Sequence, residues 1–323
     1  VSDSSGREVA LGPTHEEIVG PILKNYVSSY KDLPLAVYQI QNKFRMELRA
    51  KSGILRGREF MMKDMYSFHA TEKDLSEFYA KMQDVYKTIF SRVGIGHITY
   101  RTFASGGTFS KYSHEFQTIT PAGEDVIYVD EKSGVAVNKE VFQGKVIQDL
   151  GLQKEDLQEY RAIEVGNIFE LNTKFSKPFD LSFTDAKGEK RYVLMGCYGI
   201  GLGRLLGAVV EALADDQGII WPESIAPFRV HLLSLSEESE VKRRAENVYE
   251  ALLKNNIEVL FDDRGKVSPG EKFAEADLLG MPYRVVVSER SMKEDGVEIK
   301  KRNEKKGKII SLKDLLSLLA PSA

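Results

Sequence analysis

The chain has 323 residues, 42% of them hydrophobic, and a formal charge of −3, enough to bury cores in two domains. Its one cysteine, Cys197, excludes an intramolecular disulfide and a Cys-rich zinc site, and fits a reducing, cytoplasmic setting. The charge balance neither demands nor excludes a polyanionic partner, and no apolar run is long enough to span a membrane.

The polar opening from Val1 to Glu17 reads as the middle of a domain, which implies a segment upstream. Ile18, Ile22, Tyr26 and Tyr30 recur at four-residue spacing and predict a helix over 14–30, with Thr14 and Glu17 as a capping box. Thr14 and Glu16 have a second reading, as acceptors for a substrate ammonium group. Strict alternation from Tyr38 to Leu48, a glycine-bearing loop (Ala50 to Gly57) and renewed alternation through Arg56, Arg58, Phe60 and Met62 predict a hairpin with one charged face. That face offers Arg45, Glu47 and Arg56, with the Phe60 ring. It is either a solvated strand of weak cross-strand ion pairs or a site for a nucleoside triphosphate. In the second case the forked guanidinium donors meet phosphate, Glu47 accepts an exocyclic amine and Phe60 stacks on a base.

An amphipathic helix over 72–93 follows, then a Gly106-Gly107 turn, Ser113-His114-Glu115-Phe116 and a hairpin over 125–141. Residues 142–163 read as a polar surface connection. Strands over 163–175 and 191–197 lead into Gly199-Ile200-Gly201-Leu202-Gly203-Arg204, which opens a helix over 203–214. This spacing differs from a dinucleotide fingerprint and comes late in the chain. The glycines allow either close ligand approach, with Arg204 reaching a phosphate, or close helix packing. Cys197 reads as a small buried side chain lining a pocket, and the five scattered histidines have no metal-ligand spacing, so no zinc is expected. After Trp221-Pro222 the order β-α-β-α-β predicts a small α/β domain with a parallel or mixed sheet.

Together these motifs resemble class II aminoacyl-tRNA synthetases, and within them the prolyl-tRNA synthetase family. The family's second motif is similar to Phe44–Glu47 through Arg56–Phe60, and its third to Gly199–Arg204. LGPTHEE (Leu11 to Glu17), MKDMYSF (Met62 to Phe68), SHEF, MGCYGIG (Met195 to Gly201), WPESIAPF (Trp221 to Phe228) and LFDDRGKVSPGEKF (Leu260 to Phe273) extend the likeness over nearly the whole chain. The resemblance implies an α+β catalytic domain over 1–225, an antiparallel sheet flanked by helices with its N-terminal part missing, and a small α/β anticodon-binding domain over 226–323. It implies activation of L-proline with ATP and Mg2+, transfer to tRNA(Pro), and a homodimer.

Carried over by position, the resemblance assigns ATP to Arg45, Glu47, Arg56, Phe60, Glu164, Asn167, Gly201, Gly203 and Arg204, with Glu164 beside the magnesium. Proline falls to Thr14, Glu16, Arg45, His114, Gly196 and Cys197, and the anticodon to Asp262, Asp263, Arg264 and Lys272. Arg45 and Arg204 carry the chemistry. The basic residues Lys300, Lys301, Arg302, Lys305, Lys306 and Lys308 either contact phosphates or lie in a solvated loop. Three departures stand out. Only residues 142–163 occupy the place of the editing domain, so hydrolysis of mischarged alanyl-tRNA in cis is expected to be absent. Asn167 and Asn172 replace a usual histidine and glycine, and the first family motif is not found. Two rivals remain: a class IIa enzyme for threonine or glycine, and a synthetase-like tRNA-binding protein without catalysis.

Overall fold

The computed structural model describes residues 4–8, 10–48, 50, 52–107 and 112–320. Val1 to Asp3 of the opening stretch, Val9, and Lys51 of the glycine-bearing loop lie outside them. The chain divides into two compact units, residues 1–212 and 213–323. The segment after Leu213 groups with the second unit, where Ile219 N–H donates to Leu278 O at 3.1 Å and Trp221 N–H to Gly280 O at 3.2 Å.

In the first unit, α1 (Glu16–Leu23) is followed by the hairpin strands β1 (Leu35–Phe44) and β2 (Glu59–His69) and by α2 (Glu72–Arg92). Then come β3 (Thr99–Ser105), β4 (Tyr112–Ile119), β5 (Asp125–Asp130), β6 (Val135–Asn138), α3 (Gly144–Asp149) and β7 (Gln158–Asn172). A small ribbon, β8 (Ser182–Thr184) with β9 (Lys190–Tyr192), precedes β10 (Leu194–Gly201) and α4 (Leu202–Leu213). Among the described residues the main sheet has eight strands in the order β1-β2-β10-β7-β4-β3-β6-β5. All its neighbours are antiparallel except β3 and β6, which run parallel.

Register sorts the side chains. Gln39, Asp64, Gly199, Asn167 and Glu115 form one cross-strand row, and Tyr66, Cys197 and Phe169 form another on the same face, two residues along. Leu23 and Val27 pack on that face with Tyr66, Phe169 and Cys197. Tyr198, Ile168 and His114 form a row on the opposite face, where α2 brings Phe78 and Tyr79. Thr71 caps α2, accepting from Asp74 N–H at 3.2 Å, and Leu75, Tyr79, Met82, Tyr86 and Phe90 form its buried stripe.

The first helix differs from expectation. It stops at Leu23, carries Pro21, and His15 is its N-cap with no side-chain bond, so there is no capping box. Ile18, Ile22 and Tyr26 are exposed, because the buried face is Glu16, Gly20 and Leu23. Residues 142–163 are more than a surface connection: Val146, Ile147 and Leu152 are buried with Val137 and Val141. Asn172, at the end of β7, adopts φ +49°, a left-handed conformation that asparagine enters more readily than most residues.

The second unit holds β11 (Val230–Ser234), α5 (Ser239–Lys254), β12 (Val259–Asp262), α6 (Pro269–Leu279), β13 (Tyr283–Val287), α7 (Glu289–Lys293), β14 (Val297–Lys301), β15 (Lys308–Ile310) and α8 (Leu312–Leu318). Its sheet, β12-β11-β13-β14-β15, is mixed: the first three strands are parallel and the rest antiparallel. Residues of α5 and α8 pack with Val230, Leu232 and Val285, while Ala276 of α6 packs with Leu233 and Val286, which alternate to the other side.

Candidate active site

The hairpin strands end before the residues that matter most. Phe44 is the last residue of β1, and Arg45 leaves it with its N–H donating to Arg58 O at 2.8 Å. Arg45, Glu47, Leu55, Arg56, Phe60, Met62, Glu164, Asn167, Gly199, Gly201 and Arg204 surround one cavity. The guanidinium of Arg45 lies 5.2 Å over the Phe60 ring, and its Nε donates to Pro13 O at 3.1 Å. Arg56 bridges Glu124 (2.8 Å) and Glu47 (3.4 Å), and Arg204 pairs with Glu164 at 2.8 Å while donating to Leu55 O. Asn167 Nδ2 donates to the other oxygen of Glu164 at 2.7 Å.

The glycines of the run differ in how much room they leave. A Cβ on Gly199 would come within 2.9 Å of Met62 and 3.1 Å of Asn167, whereas one on Gly201 would meet nothing nearer than Arg204 at 3.7 Å. Gly207, further along α4, is the packing glycine: a Cβ there would strike Leu55. Gly203 lies beside Ile54, where a Cβ would meet the backbone oxygen at 3.5 Å, and it does not line the cavity.

Next to this wall, where Pro13 takes Arg45, the loop before α1 brings a second group together. Glu16 is buried at 1% exposure; its carboxylate accepts from the Thr14 hydroxyl and, at 3.3 Å, from the Cys197 thiol. Burial and the adjacent Glu16 push the Cys197 thiol well above its ordinary pKa, so it stays protonated and has no nucleophilic character.

Two of the residues assigned to proline face elsewhere. His114 points to the α2 side, its Nδ1 2.9 Å from the Tyr79 hydroxyl, and burial with the nearby Arg101 charge lowers its pKa to about 4. A Cβ on Gly196 would meet Tyr198 Oη at 2.4 Å and Ser67 Oγ at 2.8 Å on that same side, so Gly196 makes room for Tyr198. The strand residue aimed at the site face is Glu115, beside Asn167 in the register. Sequence reasoning missed Glu124, Met62 and a polar set made of the buried His15, Lys43, Asp64 and Tyr66 with the half-buried Gln39. The signal was present: Gln39 and Lys43 alternate with Tyr38, Ile40 and Asn42, and it is Tyr38 and Ile40 that are exposed.

The residues assigned to the anticodon are mostly engaged inside the second unit. Lys272 is 2% exposed, donating to Ser234 O at 2.8 Å and pairing with Asp262 at 3.4 Å. Asp262 is buried and bidentate with Arg264, which also pairs with Glu275. Lys272 and Asp262 are therefore structural, and only Asp263 of the four is exposed without such a clamp. Of the basic residues beyond, Arg302 is buried against Asp215 and Lys300 pairs with Asp277, leaving Lys301, Lys305, Lys306 and Lys308 exposed.

Arg45, Arg56 and Arg204 thus meet around one cavity beside a largely antiparallel sheet. Residues 1–213 match the tRNA synthetase class II core domain (G, H, P, S and T), and residues 229–320 match the anticodon binding domain. The chain is thus a class II aminoacyl-tRNA synthetase. It is 40% identical over 316 residues to a proline–tRNA ligase of Anaplasma marginale, covering 94% of this chain and 73% of that one. It is 38% identical to one of Ehrlichia chaffeensis, covering 99% and 77%. The chain belongs to the proline–tRNA ligase family. The solved prolyl-tRNA synthetase of Cryptosporidium parvum, complexed with L-proline and AMP, shares the fold at a TM-score of 0.77 and 22% identity; this chain spans 98% of itself and 59% of that chain.

Proposed function

We propose that this chain activates L-proline with ATP through the residues gathered around the cavity, then passes the prolyl group to tRNA(Pro). The observation that carries this reading is the meeting of Arg45, Arg56 and Arg204 on one cavity, with Arg45 tied through Pro13 to the segment that carries Thr14 and opens α1 at Glu16. Glu16, which already accepts from the Thr14 hydroxyl and the Cys197 thiol, receives the proline imino group with Thr14. Arg45 reaches both the substrate carboxylate and the α-phosphate. Glu47 accepts the adenine amine, Phe60 stacks on the base, and Arg56 and Arg204 hold the outer phosphates.

A carboxylate oxygen of proline then attacks the α-phosphorus and pyrophosphate leaves, giving the prolyl-adenylate. A hydroxyl of the terminal tRNA adenosine attacks the prolyl carbonyl and AMP leaves. No protein nucleophile is required: the chain supplies position and positive charge. Magnesium would lie at Glu164, oriented by Asn167. Among the described residues no group of three or more His, Cys, Asp or Glu is placed to cage a metal. The ion would be held by this one carboxylate together with substrate phosphates, and when bound it would neutralise phosphate charge.

Transfer places tRNA(Pro) against the second unit, with Asp263 and the exposed lysines as contacts. Exposed Ile22, Tyr26, Tyr38 and Ile40 on the first unit support a homodimer. No helix among the described residues is long and apolar enough to cross a membrane, and the reading places the enzyme in the cytoplasm. Arg45→Ala is expected to abolish proline-dependent ATP–pyrophosphate exchange. Wild-type exchange in that variant would refute the assignment.

A further inference from the structure

Beneath the Thr14–Glu16 segment lies a largely buried polar set that no step above uses. Lys43 on β1 is 1% exposed and pairs with Asp64 on β2 at 2.8 Å. Asp64 also accepts from Gln39 Nε2 at 2.8 Å and from the Tyr66 hydroxyl at 2.5 Å. His15, itself buried, closes the set: its Nδ1 is 2.7 Å from Lys43 Nζ and 2.5 Å from Gln39 Nε2. An ammonium group donates only, so Nδ1 is the acceptor and the ring carries its proton on Nε2.

A buried ion pair is a poor device for stability, because desolvation costs several kcal/mol per ion; its best-attested use is to fix registry. Here the pair joins β1, β2 and the loop before α1. His15 is the N-cap of α1, yet it makes no capping bond and turns to Lys43 instead. Its ring also lies against Gly12, where a Cβ would meet Nε2 at 2.6 Å. The same loop gives its Gly12 carbonyl to Phe44 N–H and its Pro13 carbonyl to Arg45 Nε, both at 3.1 Å.

We propose that His15 and Lys43 are positioning residues for the amino-acid corner. Lys43, anchored on Asp64, holds His15, and His15 sets the backbone from which Thr14 and Glu16 reach the substrate and Pro13 receives Arg45. This rests on the reading of Thr14 and Glu16 as imino-group ligands. The groups facing His15 are Lys43, Asp64 and Glu16, with neutral Gln39 and Tyr66. Burial, then the Lys43 charge, lowers its pKa below 6.5. Protonation at lower pH would therefore set a cation against Lys43 and open the corner.

Pyrophosphate exchange tests this. His15→Leu is expected to raise the KM for proline about tenfold, the effect of one lost buried hydrogen bond, with the KM for ATP within about twofold of wild type. His15→Asn, which keeps an acceptor near the Nδ1 position, restores the proline KM to within about threefold. The wild-type proline KM climbs as pH falls below 6.5, and His15→Asn lacks that climb. A folded His15→Leu with an unchanged proline KM overturns the inference alone. If His15→Leu does not fold, the pH profiles decide: matching profiles for wild type and His15→Asn overturn it. Absence of proline-dependent exchange in the wild type removes the underlying reading and this inference together.

Discussion

Arg204 with Glu164 in the first unit, and Lys272 with Asp262 in the second, are cation–carboxylate pairs that look alike in sequence and do different things in the fold. The first pair is about a quarter exposed and borders a cavity, so its polar atoms can exchange one partner for another. The second is 2% and 5% exposed, and two backbone carbonyls take further donors of the Lys272 ammonium. A charge with open space beside it is available to a ligand. A charge whose every donor is taken holds strands together.

Substitution separates the two cases most sharply at Lys272. Lys272→Met leaves the carbonyls of Ser234 and Asp262 without their buried donor, while Arg264 still holds the Asp262 carboxylate, and is expected to destabilise the second unit by about 1–3 kcal/mol, measured by denaturant unfolding. A variant as stable as wild type would break the contrast at once. Arg204→Ala has the opposite signature. Removing one charge-stabilising donor is expected to lower pyrophosphate exchange by about 10²–10³-fold, roughly 2.7–4 kcal/mol of barrier. Its unfolding midpoint should move far less, because the side chain is partly exposed.

What the sequence disclosed follows the same division. Alternation located the hairpin, but its strands end at Phe44 and resume at Glu59, so a two-residue period fixes the facing of Phe60 alone, while Arg45, Glu47 and Arg56 reach the cavity from the connecting segment. Facing becomes illegible where register slips. β4 and β7 shift between Phe116 and Gln117, and parity along SHEF then does not say whether His114 or Glu115 turns to the site. The stripe Ile18, Ile22, Tyr26 was real but exposed, since periodicity marks an apolar face without saying what covers it. Burial of Lys272 was likewise out of reach: it depends on Ser234, 38 residues away in the chain.

A smaller effect sharpens the comparison at the level of single carboxylates. Asp262, gripped by Arg264, is held down to about 2 and stays ionised. Glu115 has no such cation; burial, and then the Glu164 charge, push it up to about 8, while Gln117 and Asn138 donate to it at 2.9 and 3.2 Å. Between its ordinary 4.5 and about 8 the folded protein keeps a proton that the unfolded chain has released, so this group's contribution to stability is lost as pH rises through that window. Glutamine mimics the protonated acid, with one acceptor oxygen and a donor. Glu115→Gln is therefore expected to raise the melting temperature of the first unit by roughly 2–5 °C at pH 8.5 and to leave it unchanged at pH 4. An equal shift at both pH values would mean that packing rather than charge sets the effect, and Glu115 would no longer stand as the uncompensated counterpart of Asp262.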